Sequence, residues 1–527
     1  DFNALLDIPS DDHKTSHSAV VAAPTSVSLR QAIGHMDLSY WRSSASYLHL
    51  LSKLYGVASI DEQTANILVI GCGDGMSVLP FACQSPDASY VAIDPSGDAI
   101  NTAEQYAKQL NLTNISFRCG NLSSVLKKKE QFDYIIIKDG AQLQSCDNIF
   151  EQVSSALSDK GVVYIEFEAL PAAYFKRAPA SMFNIFQGSS ANKAPQQAWE
   201  EMVSHLYGVI NNDAFKNKQG LVNSLTNKFR YDEVLHASKG FYVGDVLNKA
   251  QHCGLSFVTD ASRPSNILNG ISDQIKQWLL AFSDNTAFYQ QTLDFIRQPN
   301  TRYLVLAKSE QTIRSSVDQD FLVQCNAVLT KPLIEFSNEQ GLVTFKARET
   351  QESIAFEETG SIALVRALAN AYPARVPIQQ LLQSVDECSD DGNDDHDQAL
   401  RILLDLIDVQ YVTLSHHADS CINEVSEKPK TTLYNQKMAI STKQALTNSY
   451  AISKLDSPSA ILLHYADGNL TLEDILDKLI DHIEAGELSD LVDDELIGKG
   501  RVFMRITLRP NVEQSFENFA RSGLLIG

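Results

Sequence analysis

The sequence predicts an α/β chain that opens with a Rossmann-like domain and continues through helical, winged-helix-like and C-terminal helical domains. Three observations lead there. Short β-branched runs alternate with amphipathic stretches between residues ~64 and 166, the pattern of parallel strands covered by helices on both faces. A glycine-rich turn follows the first of those runs directly. The length of 527 residues, at roughly 100–200 residues per domain, asks for three or four domains.

After a polar start through about Ala23, apolar and aromatic residues over 39–57 recur at helical spacing and stop at Gly56, which predicts one helix leading into the sheet. Strands are expected at Ile67-Leu68-Val69-Ile70, Tyr90-Val91-Ala92-Ile93, Ile115-Ser116-Phe117-Arg118, Tyr134-Ile135-Ile136-Ile137 and Val162-Val163-Tyr164-Ile165. Helices over 98–110 and 148–157 cover them. Residues ~180 to 300 read as mostly helical, with Trp199, Met202 and Leu206 on one stripe and Ile275, Trp278 and Leu279 on another. A strand returns at Arg302-Tyr303-Leu304-Val305-Leu306. Short strands within 333–345, helices over 361–371, 377–385 and 398–409, and a strand at Tyr411-Val412-Thr413-Leu414 suggest a winged-helix arrangement. A linker over 424–432 opens the last helical domain. The expected domains are 1–180, 181–312, 313–428 and 429–527.

The formal net charge of -22 argues against nucleic acid as a partner, because affinity for a phosphate backbone comes from clustered Lys and Arg. Lys127-Lys128-Lys129 reads as a solvated helix end or turn. No stretch reaches the ~18 uncharged apolar residues of a membrane helix, so no membrane insertion is expected. Eight cysteines are scattered without a C-x-x-C pair, which indicates neither zinc nor a disulfide framework and fits reduced thiols in a cytoplasmic protein. The chain begins at Asp1 rather than a methionine, which leaves the native start and any removed targeting peptide open. The acidic stretch 386–397 lacks the EF-hand register and reads as a solvated loop. His416-His417 reads as a loop pair, since no acidic or cysteine partner lies at ligand spacing, so no metal is expected.

The chemistry is carried by Gly71-Cys72-Gly73-Asp74-Gly75, placed between a buried strand and a helix. Glycines permit the positive φ angles of such a turn and let a ligand approach the backbone. The helix N-terminus behind the turn offers unpaired N–H groups to a carboxylate or phosphate. The second strand ends at Asp94-Pro95, about twenty residues on, where a carboxylate can accept hydrogen bonds from both ribose hydroxyls. The third ends at Cys119-Gly120-Asn121-Leu122, a polar side chain beside an apolar one, suited to the edge and face of an adenine. The fourth ends at Lys138-Asp139-Gly140 over the same crevice.

These four features in order resemble the class I S-adenosylmethionine-dependent methyltransferases. The resemblance implies S-adenosyl-L-methionine as cofactor, held by Gly71, Cys72, Gly73, Asp74, Gly75, Asp94, Pro95, Asn121, Leu122 and Lys138. A nicotinamide dehydrogenase is the rival on this fold, but its fingerprint places the third glycine three residues after the second, whereas Gly75 lies two after Gly73. A Rossmann domain that has lost its ligand is the remaining alternative.

Further along, Tyr231-Asp232-Glu233-Val234-Leu235, Phe241-Tyr242-Val243-Gly244-Asp245-Val246, Ala250-Gln251-His252-Cys253-Gly254-Leu255-Ser256-Phe257 and Gln291-Thr292-Leu293-Asp294-Phe295-Ile296-Arg297 look like the methyltransferase regulatory domain. The stretches Leu463-His464-Tyr465-Ala466-Asp467-Gly468-Asn469-Leu470 and Glu484-Ala485-Gly486-Glu487-Leu488 look like the closing module of the same multidomain bacterial proteins. These are typified by the rickettsial protein lysine methyltransferases that act on outer-membrane protein. The resemblance implies a homodimer through the helical domain, with the middle and C-terminal domains helping to receive a lysine-containing protein substrate.

Three departures stand out. Val69 replaces the acidic residue that the family commonly has two places before the first loop glycine, and Asn121 replaces the one near the adenine. Where the family has Tyr-Asn-Thr-x-Pro-Gly-Trp, this chain has Phe167-Glu168-Ala169-Leu170-Pro171-Ala172-Ala173, keeping the proline alone. Methylation of a small molecule or peptide natural product, and a non-catalytic binding role, stay open on that account.

Methyl transfer from a sulfonium needs in-line alignment and a nucleophile freed of its proton. A lysine amine, with an unperturbed pKa of ≈ 10.4, has to be deprotonated or desolvated. The catalytic candidates are Glu166 and Glu168, which strand alternation puts on one side, with Tyr164 and Tyr174 nearby. An exposed strand end is the other reading of the same residues. Lys138 reads as a surface lysine before a cofactor contact, and Asp139 likewise before a general base.

Overall fold

The computed structural model describes residues 39–174 and 240–527, apart from 126–129, 139, 141–142, 144–147, 266–267, 269–270, 338–341, 348–351, 389–393, 418–420, 423, 450 and 489–496. Expectations placed on Lys127-Lys128-Lys129, Asp139, Trp199, Met202, Leu206 and the stretch starting at Tyr231 lie outside the described residues, as does the part of the helical domain before residue 240.

The lead-in is two helices rather than one, α1 (Ser39–Arg42) and α2 (Ala45–Leu54). Ser44 divides them. Its hydroxyl donates to Trp41 O at 2.7 Å and accepts from Tyr47 N at 3.2 Å, so it caps the second helix and ends the first. Gly56, with φ +70°, turns the chain out of α2.

The strands follow the expected order: β1 (Asn66–Ile70), β2 (Ser89–Asp94), β3 (Ile115–Cys119), β4 (Phe132–Ile137) and β5 (Leu157–Glu168). They are joined by α3 (Leu79–Gln84), α4 (Gly97–Gln109), α5 (Leu122–Val125) and α6 (Ile149–Ala156). β1 pairs in parallel with β2 and β4, and β2–β3 and β4–β5 are parallel too. Alternation divides the side chains between two cores. Ile67, Val69, Tyr134, Ile136, Val162 and Tyr164 enter one, while Leu68, Ile70, Ile135, Ile137, Val163 and Ile165 enter the other.

Two further strands from beyond residue 180 complete this sheet. After α7 (Val243–His252) come β6 (Leu255–Asp260), α8 (Asp273–Leu280), α9 (Thr286–Arg297) and β7 (Thr301–Lys308). β7 runs antiparallel to β5 and β6 antiparallel to β7, which gives the order β3-β2-β1-β4-β5-β7-β6. The sheet thus crosses the boundary expected at 180. Leu304, Val305, Leu306 and Ala307 are fully buried, so β7 covers the edge that β5 would otherwise leave unpaired. On α8 only Leu279 of the expected stripe is buried, with Ile275 and Trp278 exposed.

Arg302 ties these elements together. Its guanidinium bonds Asp260 Oδ2 at 2.8 Å and Gln290 Oε1 at 2.6 Å and lies 2.9 Å from Asp294 Oδ1. All three charged side chains are at most 8% exposed.

The middle segment holds α10 (Gln319–Val323), β8 (Asn326–Leu329), an antiparallel sheet of β9 (Leu333–Ser337), β10 (Val343–Ala347) and β11 (Ser353–Phe356), then α11 (Thr359–Ala371), β12 (Val376–Pro377), α12 (Ile378–Asp386), α13 (Asp394–Asp408) and β13 (Val412–Ser415). Three of its helices, α11 to α13, and the small sheet β12-β8-β13 give the winged-helix-like form, with the central strand supplied from before those helices. Of the acidic stretch, Asp386 ends α12 and 394–397 open α13, linked by a 2.6 Å contact between His396 and Asp386.

The last segment is helical with one hairpin: α14 (Leu433–Thr442), β14 (Gln444–Leu446), β15 (Ile452–Lys454), α15 (Ser457–Tyr465), α16 (Leu472–Glu484) and α17 (Arg501–Arg521). α14 returns to the first domain, where Tyr434 and Met438 pack with Leu79, Ala107 and Leu110. Among the described residues no helix is long and apolar enough to cross a membrane.

Candidate cofactor and active site

β1 lies between β2 and β4, so a crevice opens at its C-terminal end, where the strand order reverses. The loop 71–75 turns there. Gly71, Gly73 and Gly75 have φ of +79°, +55° and +82°, and the amides of Gly71 and Cys72 both donate to Ile93 O at 2.9 and 3.2 Å. A Cβ on Gly75 would lie 2.9 Å from Ala103 Cβ, so this glycine lets α4 pack close. A Cβ on Gly73 would meet nothing within 4 Å, which makes its outer side an open cradle.

The remaining loop residues act mainly through their backbone. Cys72 is buried, and burial followed by the Asp94 charge pushes its thiol up to about 12. Asp74 is exposed and its carboxylate accepts from Met76 N at 3.2 Å. The helix expected to abut the loop begins only at Leu79, after a turn held by Val78 N donating to Gly75 O at 2.9 Å. That helix N-terminus is therefore set back from the loop, whose Gly71, Cys72, Gly73 and Gly75 amides are bonded to Ile93 O, Asp94 and Cys72 O.

Asp94 ends β2 half-buried. Its Oδ2 accepts from Gly73 N and its Oδ1 from Ser96 N, each at 2.9 Å. A carboxylate oxygen accepts more than one hydrogen bond, so these contacts aim the group while leaving capacity for ribose hydroxyls. Pro95 follows, exposed. Asn121 caps α5, its Oδ1 accepting from Ser124 N at 3.0 Å. Leu122 is 2% exposed and packs in the core with Ile137 and Ile149.

Across the crevice the ends of β4 and β5 bring three candidates together. Lys138 is not a surface lysine: its side chain is 12% exposed, its Nζ lies 3.3 Å from Glu166 Oε2, and it donates to Ser43 Oγ at 3.1 Å. The Tyr164 hydroxyl donates to the same Glu166 Oε2 at 3.2 Å. Burial, then the Glu166 charge, drives the Tyr164 phenol well above its ordinary value, so it remains a donor. Glu166 and Glu168 are half-buried on one side of β5, and Phe167 between them is buried on the other. Ala169, Leu170, Ala172 and Ala173 are buried too, and Leu170 N donates to Phe241 O at 2.9 Å. Tyr174 is 49% exposed beside Tyr242.

Residues of the lead-in complete this group. Ser43 reaches Lys138, and the Arg42 guanidinium stands 4.8 Å from the Tyr303 ring centre, with Tyr303 6.5 Å from Tyr164. The sequence signal for them was slight, a Trp41-Arg42-Ser43-Ser44 break inside an apparent helix. Tyr303 stands on β7 opposite Glu166, a position open only to a strand added from the far side of the chain.

Away from this crevice, His416 and His417 do meet an acidic partner. Glu62 lies 3.6 Å from His416 Nε2 and is hydrogen-bonded to His417 Nε2. A separation of 355 positions hides that pairing from any spacing argument.

Comparison with known proteins finds a family described as "Methyltransferase domain" over residues 61–224 and one described as "Predicted methyltransferase regulatory domain" over residues 233–308. An uncharacterized protein of Rickettsia prowazekii is 22% identical over 469 residues, 84% of either chain. A bifunctional methyltransferase of the same organism is 34% identical over 95 residues, 18% of either chain. Among solved structures, PKMT2 from Rickettsia typhi is 19% identical with a TM-score of 0.78, over 92% of this chain and 98% of that one. A second structure of that protein, in complex with AdoHcy, matches equally well.

Proposed function

Since the chain carries a methyltransferase domain over residues 61–224 and a methyltransferase regulatory domain over 233–308, we propose that it transfers a methyl group from S-adenosylmethionine to a protein side chain, a lysine amine. The observation that carries this is the pairing of an open cradle at Gly73, flanked by the aimed Asp94 carboxylate, with the acidic crevice wall at Glu166 and Glu168. The likeness to PKMT2, solved with AdoHcy, supports the lysine acceptor.

When bound, S-adenosylmethionine supplies an electrophilic methyl on a sulfonium that leaves as a neutral thioether. The chain has two tasks. The loop 71–75 and Asp94 bind and orient the nucleoside and amino-acid ends. Glu166 then attracts the incoming ammonium and accepts its proton, while Lys138 and Tyr164 fix the carboxylate from two sides. The nitrogen lone pair so released would be free to take the methyl group that the bound donor supplies. A net charge of -22 favours a basic acceptor region at this mouth.

Incubation with labelled donor and bacterial lysate tests the reading. Label in protein that survives acid precipitation and hydrolyses to methyl-lysine is expected. Label confined to the acid-soluble fraction would replace the protein acceptor with a small molecule, the reading that the altered segment 167–173 favours.

A further inference from the structure

Glu62, His416 and His417 each offer one ligand atom, and these atoms lie within 4.8 Å of one another, the one such trio among the described residues. The trio joins two domains. Glu62 stands in the turn before β1, at the end of the sheet opposite the loop 71–75, and the histidines directly follow β13. The cluster is therefore separate from the methyl-transfer crevice.

Its polar atoms are underused for their depth. The Glu62 side chain is 3% exposed, and its Oε2 is buried without a hydrogen-bond partner. Both ring nitrogens of His416 are likewise buried without one. Buried polar atoms in this state call for a missing partner, such as water or an ion. The frame is firm: His417 N donates to Ser415 Oγ at 3.2 Å, and its carbonyl accepts from Asn326 Nδ2 at 3.1 Å. The His416 and His417 rings sit 3.9 Å apart, with His49 5.3 Å from His416 on the far side.

We propose that Glu62, His416 and His417 form a binding site for a divalent transition-metal ion, Zn2+ foremost, that clamps the first domain to the middle domain. Two imidazoles and a carboxylate are a donor set zinc accepts, leaving the fourth position for water. Tetrahedral Zn–N and Zn–O bonds of about 2.0–2.1 Å put neighbouring donors ~3.3 Å apart. The 3.6 Å from Glu62 to His416 is close to that already. Glu62 and His417 line a cavity of about 340 Å³ with Ser44, Tyr90 and Arg375, which gives the ion a path and its water a place.

The test uses the full chain, stripped with chelator and titrated with Zn2+ or Co2+ alone. One Zn2+ per chain is expected by competition against a chromophoric chelator. Co2+ should give a visible d–d spectrum without the near-ultraviolet band of thiolate coordination. Glu62→Gln and His416→Ala should each weaken binding by at least ~100-fold, since even a second-layer partner of a ligand is worth 10–100-fold. His252→Ala, an exposed histidine elsewhere, should leave it unchanged. Circular dichroism identifies a variant that fails to fold, in which case the other ligand variant decides. No stoichiometric uptake by the folded wild type, unchanged affinity in the folded ligand variant, or a thiolate band with Co2+ would each overturn the site.

Discussion

Asp94 works in two directions at once. Its carboxylate holds the loop through Gly73 N and the start of α4 through Ser96 N, and in the proposed function it receives the ribose hydroxyls. Asp94→Ala should therefore weaken S-adenosylmethionine binding by one or two charge-assisted hydrogen bonds, ~1.5–3 kcal/mol each. Calorimetry reads this directly, and unchanged affinity would show that the crevice is not the nucleoside site. The two glycines separate binding from stability. Gly75→Ala forces a Cβ to within 2.9 Å of Ala103 Cβ and should lower stability by roughly 1–3 kcal/mol in denaturant unfolding. Gly73→Ala meets no such neighbour, so it should cost about 1 kcal/mol for its positive φ yet weaken cofactor binding more than Gly75→Ala does. The loop and Asp94 were legible because both are local patterns, a turn after a strand and a carboxylate at the end of the next. The contact of Lys138 with Glu166 and Ser43 was not legible, because three separate segments meet there.

At the scale of elements, alternation and β-branched runs identified β1 to β4 to within a few residues and the central part of β5, since β1, β2, β4 and β5 bury their own apolar runs. What they missed was set by partners. The lead-in reads as one helix, but Ser44 competes with the helical backbone for Tyr47 N and divides it. The strand at 302–306 reads correctly as a strand, while its place beside β5 depends on backbone pairing across more than a hundred intervening positions. Arg302 makes that addition costly to disturb. Arg302→Ala would leave Asp260 and Asp294 buried without their cation, and breaking a buried pair in this way costs about 3–5 kcal/mol. Chemical denaturation should show a loss of that size, and a loss below about 1 kcal/mol would mean that the three side chains do not fix β7 to β6 and α9.

At the scale of the whole molecule, the parts are joined by polar as well as apolar contacts. Asp408 at the end of α13 accepts from Ser265 N at 3.1 Å and from the Ser265 hydroxyl, linking the middle domain to the segment after β6. Burial raises the Asp408 carboxyl to about 6, with the Ser265 hydrogen bonds opposing. A carboxyl raised in the folded state favours folding while protonated, so its contribution is full below its ordinary value near 4 and is lost as pH rises through about 6. The difference amounts to about 2–3 kcal/mol. Asp408→Asn should therefore flatten the dependence of unfolding free energy on pH between about 4 and 7, and equal slopes in the two proteins would rule this out. The C-terminal part is held by burial instead: Met438 on α14 is fully buried against the first domain. Met438→Ala should cost about 2–5 kcal/mol and shift the thermal transition of the whole chain.

The sequence by itself determined the α/β class, the glycine turn followed by the carboxylate of Asp94, and the likeness of the chain to methyltransferases, because each rests on residues close together along the chain. Only the tertiary structure decided that β6 and β7 belong to the first sheet, that Lys138 turns inward against Glu166, and that Glu62 meets His416 and His417. Those outcomes depend on which distant surfaces exclude water together. Local spacing carries no record of that choice.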